Sequence, residues 1–116
     1  MNTVSLIGNL GKVEISAVGD GKVVGKAMLA VPRMRAGERI GNDWIPVVLW
    51  ERQALNASRY LETGATVALE GRLESHFRAR VSGTEDGLRS RLLVEVVVNR
   101  ITYLSPLLLS ETAGQK

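Results

Sequence analysis

Two tryptophans are the residues of this chain best suited to binding chemistry. Trp44 and Trp50 both lie in the segment DWIPVVLW, in a chain of 116 residues with only five Phe, Trp and Tyr in total. Read as a strand, the segment places Ile45, Val47 and Leu49 on one face and both indoles on the other. Same-face residues six positions apart on a strand lie ~20 Å from each other, which leaves room for stacked bases. Aromatic rings on an exposed sheet face, with cations nearby, are typical of single-stranded nucleic-acid binding.

Burial is the alternative role for these indoles. Tryptophan is highly buried on average, so either ring could close one end of the fold or lie in an interface between subunits. Pattern alone favours stacking for Trp44 slightly more than for Trp50, because Trp50 adjoins the predicted helix.

Arginines in two groups are candidates for phosphate contacts. The net charge of +3 is modest, so their placement is more informative than their number. One group lies in PRMRAGERIGN and the other flanks VSGTEDG; together they are Arg33, Arg35, Arg39, Arg72, Arg78, Arg80, Arg89 and Arg91. A hairpin with four arginines near its tip would form a basic finger, and the alternative is charge that protects an edge strand from pairing.

Catalytic and metal chemistry have little support. The chain has no cysteine and one histidine, His76, which excludes disulfides and thiolate sites and leaves few ligands for zinc. GDGKVVGK (19–26) lacks the spacing of a phosphate loop, and neither a Gly-x-Ser-x-Gly nor a His-Glu-x-x-His motif occurs. We therefore expect no enzyme activity and no cofactor. The N-terminus lacks signal-peptide features and no apolar run approaches ~18 residues, so a cytoplasmic, nucleoid-associated protein is expected.

The hydrophobic pattern predicts an all-β fold with one helix. Strands are expected over 2–9, 13–18, 23–31, 43–50, 66–81 and 88–104, where 13–18 is either a second strand or the first continued past a kink at Gly8–Gly11. Pro32 is expected to end a strand and a polar loop to run to Asn42. A helix is expected from Glu51 to Glu62, closed by Thr63–Gly64. Five strands with one helix between the third and fourth, and a long hairpin of the last two, is the order of an OB fold, a five-stranded Greek-key barrel. The domain would span 1–105 and a flexible tail 106–116.

Five blocks resemble the bacterial single-stranded DNA-binding protein family. In order they are NTVSLIGNLGK, LAVPR, DWIPVVLW, ERQALNASRYLETGATVALEGRLES and VEVVVNRITYL, which cover nearly all of 2–104. The resemblance implies an OB fold that assembles into a homodimer or homotetramer with single-stranded DNA wrapped outside. It also implies that Trp44 and Trp50 stack on bases and that Tyr60 lies close to the DNA. Phe77 is one position from a stacking position of the family, which Arg78 occupies and could fill by cation–π contact.

The leading hypothesis is sequence-independent binding and protection of single-stranded DNA during replication, recombination or repair. The alternatives are a primosome-type accessory protein, an OB module used for protein assembly, and an RNA chaperone. Family members usually carry a flexible tail with an acidic tip that recruits other replication proteins, and SETAGQK lacks that tip. The sequence leaves open whether this is a shortened chain or a short relative without the recruitment role.

Overall fold

A single mixed β-sheet and one helix make up the fold in the computed structural model. The structure describes residues 1–79 and 90–107, with side chains through 77 and from 91 to 104. The elements are β1 (Val4–Leu10), β2 (Glu14–Ala17), β3 (Val23–Arg35), β4 (Glu38–Trp50), α1 (Arg52–Tyr60), β5 (Leu61–Ala79) and β6 (Ser90–Leu107). The predicted all-β class with one helix is confirmed at this level. The predicted loop VSGTEDG and most of the predicted tail lie outside the described residues.

The strands pair in the order β1-β5-β6-β4-β3-β2, with a further pairing between β1 and β3. All pairs are antiparallel except β4 with β6, which is parallel. β1 is hydrogen-bonded along its length to β5, and its last two residues also pair with β3. The first strand thus pairs both with its neighbour in the order, β5, and with β3, the last strand but one at the opposite end.

Within 1–79 and 90–107 six strands are present where five were predicted, because an extra residue interrupts the N-terminal segment. Leu10 pairs with Leu29 and Glu14 pairs with Lys26, so the N-terminal segment uses one more residue than β3 over this stretch. An unmatched residue breaks the ladder locally, as in a β-bulge. The segment after the glycine kink is therefore a separate strand, β2. It pairs with β3, as the end of β1 also does.

The loop predicted from Pro32 to Asn42 is wrong, because β3 and β4 continue through it as a long hairpin. Pro32 pairs with Asn42, and the strands meet at a two-residue turn of Ala36 and Gly37, whose φ values are 52° and 84°. Positive φ at both central residues is the signature of a type I′ turn, whose twist matches that of the strands. β1 leaves β3 at Ala30, so Pro32 lies where β3 is an edge strand and a missing N–H is tolerated.

The helix is shorter than predicted and ends at Tyr60 rather than at Glu62. Leu61 is already extended, with φ −102° and ψ 138°, and it is buried in the core with Ala65. Packing of these two side chains requires an extended chain before Thr63–Gly64, which lies within β5. The glycine expected to close the helix, Gly64, still has a positive φ of 94°.

The core lies between the helix and the inner face of the sheet. Val47 and Leu49 are fully buried in it and Ile45 packs against it, which confirms the predicted aliphatic face of DWIPVVLW. Alanines of the helix, Ala54 and Ala57, pack on the same cluster. β4 is thereby held rigidly, with its other face directed away from the core.

Candidate functional site

Both tryptophans lie on the outer face of β4 and are exposed. Trp44 is 61% exposed and Trp50 41%, so the predicted outward orientation is observed. Between them Val48 is only 4% exposed, because it packs with Val24 and Val97 in a small apolar cluster on this face. We call the outer surface of β3, β4 and β6 around these residues the tryptophan face. Residues of β4 are buried on both faces of the strand, which holds the two indoles in place.

The arginines of the β3–β4 hairpin lie between Trp44 and the turn, and one of them is ion-paired. Arg33 donates from Nε to Oδ1 of Asp43 at 2.8 Å, and its Nη2 contacts the same oxygen. This hydrogen bond and the charge of Asp43 raise the pKa of Arg33. Arg39 donates to Asn42 Oδ1 at 2.6 Å, whereas the described residues give Arg35 no hydrogen bond or ion pair. Arg35 is thus the cation of this hairpin most available to a phosphate.

The second group of arginines lies on the β5–β6 hairpin. Arg72 donates to Glu74 Oε2 at 2.6 Å and to Asn99 Oδ1 at 3.4 Å, so much of its charge is balanced within the fold. Arg91 is exposed and faces Arg78 across the two strands. Two cations at paired positions are consistent with the predicted basic finger. Arg80 and Arg89 lie outside the described residues, as does the side chain of Arg78.

Phe77 lies on the opposite face of the β5–β6 hairpin from the tryptophan face. It is 77% exposed and pairs with Leu92. Alternation places it with Leu73 and Val94, and all four side chains are exposed. We call these four residues the apolar strip. The structure does not bring Phe77 together with the two indoles.

Tyr60 lies at the C-terminal end of the helix and is partly exposed. Its neighbour is Tyr103 on β6, whose pKa is raised by burial and, to a smaller degree, by Tyr60. Tyr103 packs against the main core. Tyr60 therefore lies beside Tyr103, in the C-terminal part of β6. It is not among the residues that surround the outer side of Trp50.

A charged cluster beside Trp50 is the feature that the sequence did not indicate. Glu95 lies 3.6 Å from Lys26 Nζ and 3.6 Å from His76 Nε2, and His76 also lies 3.6 Å from Glu74. These side chains surround a depression that Trp50 lines. Glu95 is the only charged residue in the run LLVEVVV (92–98). A lone charge in an apolar strand was a sequence signal that this position has a functional or pairing role. The strand register, which the sequence did not specify, decides which residues it meets.

The described parts of the chain show no membrane span and no metal cluster. None of the helices within 1–79 and 90–107 is long and apolar enough to cross a bilayer. In the same ranges no three His, Asp or Glu side chains are placed to hold a metal ion. Beside Trp50, His76 Nε2 instead lies 3.6 Å from a carboxylate oxygen of Glu74 and 3.6 Å from one of Glu95.

Comparison with known proteins gives one consistent result. Residues 1–104 match the profile described as the single-strand binding protein family. A single-stranded DNA-binding protein of Clostridium tetani is 35% identical over 107 residues, which cover 90% of this chain and 70% of the relative. One from Bacillus cereus is 34% identical over 110 residues, 91% of this chain and 61% of the relative. A third, single-stranded DNA-binding protein 2 of Staphylococcus aureus, is 34% identical, over 91% of this chain and 74% of the relative.

Proposed function

The chain belongs to the single-strand binding protein family, and we propose that it binds single-stranded DNA through the tryptophan face. One observation carries the assignment of this surface: two exposed indoles share one face of a strand whose other face is buried. Such rings accept any base, because every base has a π face, and stacking contributes about 1–3 kcal/mol per base. Binding would therefore be largely independent of sequence.

The phosphates of the bound strand would contact arginines of the two hairpins. Arg91 and Arg35 are exposed and form no ion pair among the described residues, so they are the first candidates. Arg35 alternates onto the side of β3 opposite Ala30, the partner of Trp44, so the strand would reach it by passing around the end of the hairpin. Arg33, Arg39 and Arg72 already have partners at Asp43, Asn42 and Glu74, and they would contribute less. Of the aromatic residues, Trp44 and Trp50 would stack first. Tyr60 and Phe77 would contribute only if the strand leaves the tryptophan face and passes around the fold.

The sheet would act as the barrel of an OB fold. The pairing of β1 with both β5 and β3 supports this, because it links the first strand to both sides of the order. OB folds bind oligonucleotides on the face of the second and third barrel strands and on adjoining loops. The role would be non-enzymatic, in replication, recombination or repair in the cytoplasm.

Titration of the intrinsic tryptophan fluorescence with oligo-dT tests the proposal. Stacking of bases on Trp44 and Trp50 should quench emission, and raising the salt concentration should reverse the quenching as counterions displace the arginine contacts. A duplex of the same length is the control and should quench less. Absence of both quenching and a salt-dependent complex would refute single-strand binding.

Arg35→Gln should reduce the salt dependence of binding. For single strands the slope of log K against log salt is about −0.7 per neutralised phosphate, so loss of one contact should make the slope less steep by about 0.7. Arg100→Gln is the matched control, since it removes the same charge from a residue outside the two arginine groups, which already faces Glu70 on β5. Equal slopes for the two variants would show that Arg35 does not contact the DNA.

We also propose that the chain assembles into a homo-oligomer. The apolar strip of Leu73, Phe77, Leu92 and Val94 is exposed in the single chain, and contiguous apolar surface of this kind marks interaction sites. It also favours the second candidate function, an OB module used for protein assembly. Solution mass measured with and without long oligo-dT separates the two: a mass above that of one chain that rises further with DNA supports a DNA-binding oligomer, and assembly without any DNA complex supports the module.

A further inference from the structure

The depression beside Trp50 combines an apolar floor with a polar rim. It encloses about 230 Å³, several times the ~30 Å³ that one water occupies in the liquid. One wall is the indole of Trp50, and the floor is the cluster Val24, Val48 and Val97. The rim carries Lys26, Glu74, His76 and Glu95. An apolar pocket with a few convergent polar groups is the usual form of a small-ligand site.

Glu95 is the unusual member of this rim. Its side chain is only 9% exposed, yet among the described residues its carboxylate accepts no hydrogen bond. The nearest nitrogens, Lys26 Nζ and His76 Nε2, lie at 3.6 Å, which is beyond hydrogen-bond distance. Neither oxygen is closed off from water, so the carboxylate keeps free acceptor positions at the rim of the depression. Glu95 is therefore an acceptor of N–H groups placed at the edge of a pocket that fits a planar ring.

We propose that this pocket holds one base of the bound strand and favours guanine. The inference rests on the proposed function, since it concerns one position along the same DNA. Unpaired bases are read by hydrogen bonds to their Watson–Crick edges and by stacking on aromatic side chains. Guanine presents two neighbouring donors on that edge, N1–H and the N2 amino group, which match the two oxygens of Glu95. Lys26, beside one of these oxygens, is available as a donor to guanine O6.

The other bases fit this acceptor less well. Thymine presents N3–H between two carbonyl oxygens, which the Glu95 carboxylate would repel. Cytosine and adenine each offer one amino group next to a ring nitrogen that accepts. The expected order is therefore guanine first, cytosine and adenine next, and thymine last. Stacking on Trp50 is common to all four bases and does not change the order.

Short oligo-dT carrying a single central dG, dC or dA tests the inference on the unmodified protein. The dG oligonucleotide should bind at least about fivefold more tightly than oligo-dT, the low end of what one bidentate contact gives. Replacing dG by deoxyinosine removes the N2 amino group, and replacing it by O6-methyl-dG removes N1–H. Both should lose most of the preference. Equal affinity for dG, deoxyinosine and dT would overturn the inference.

A matched pair of variants assigns the preference to Glu95. Glu95→Gln and Glu70→Gln each remove one negative charge, and Glu70 lies outside the depression. Only Glu95→Gln should abolish the preference for dG; a preference kept in that variant contradicts the assignment. If Glu95→Gln does not fold, the deoxyinosine series still decides. Failure of every oligonucleotide to bind refutes the proposed function itself, whereas binding without preference refutes only the guanine pocket.

Discussion

Trp44→Ala should weaken the binding of single-stranded DNA by about 5- to 150-fold at fixed salt. This range corresponds to the loss of one stacking contact of about 1–3 kcal/mol. The indole is 61% exposed and does not belong to the main core. The free energy of unfolding should therefore change by less than about 0.5 kcal/mol. Fluorescence anisotropy of a labelled oligo-dT measures the affinity, and thermal unfolding measures the stability.

Two further variants define the cause of this loss. Trp44→Phe keeps an aromatic face and should retain most of the affinity. Ile7→Ala truncates another exposed apolar residue, on β1, and should leave binding unchanged. If Trp44→Ala binds as tightly as the unmodified chain, the DNA does not stack at this position, and the indole is better assigned to an interface between subunits.

Gly71→Ala should lower the free energy of unfolding by about 3 kcal/mol. A Cβ at this position would lie 2.2 Å from the carbonyl oxygen of Val97 and 3.0 Å from its carbonyl carbon. Both atoms belong to backbone, and Val96, Val97 and Val98 are buried, so β6 cannot move aside without disrupting the core. The ladder between β5 and β6 is irregular at Glu70 and Gly71, which is where the two backbones approach.

Urea denaturation measures this effect as a lower transition midpoint. Gly11→Ala is the control, because its nearest contact would be the carbonyl oxygen of Met28 at 3.2 Å, and a small shift relieves it. We expect a loss of no more than about 1 kcal/mol there. Equal midpoints for Gly71→Ala and the unmodified chain would show that β5 and β6 separate easily, and the packing described at Gly71 would then be incorrect.

Local patterns predicted the elements whose two faces differ strongly. In DWIPVVLW the alternation of Ile45, Val47 and Leu49 with the indoles correctly assigned the core face, because a strand with one buried face must alternate. The helix was also predicted, apart from its last two residues. Its end depended on the burial of Leu61 and Ala65, which is a tertiary contact that no capping pattern reports.

The β3–β4 hairpin shows where local patterns were insufficient. Polar residues, a proline and glycines from Pro32 to Asn42 predicted a loop, because each is uncommon inside a strand. The cross-strand ladder and the two-residue turn at Ala36–Gly37 override those preferences. Arg33, Arg35 and Arg39 are consequently held on strands and not on a loop, which fixes where they can meet a phosphate.

Sequence alone determined the class of this protein: an all-β chain with one helix, two indoles on one face of a strand, clustered arginines, and the block order that resembles single-stranded DNA-binding proteins. Only the tertiary structure decided which arginines already have partners and which residues surround Trp50. Trp50, Lys26, His76 and Glu95 come from four different strands, and the strand register brings them together. A shift of one residue would move each side chain to the other face, so no local pattern could reveal this pocket.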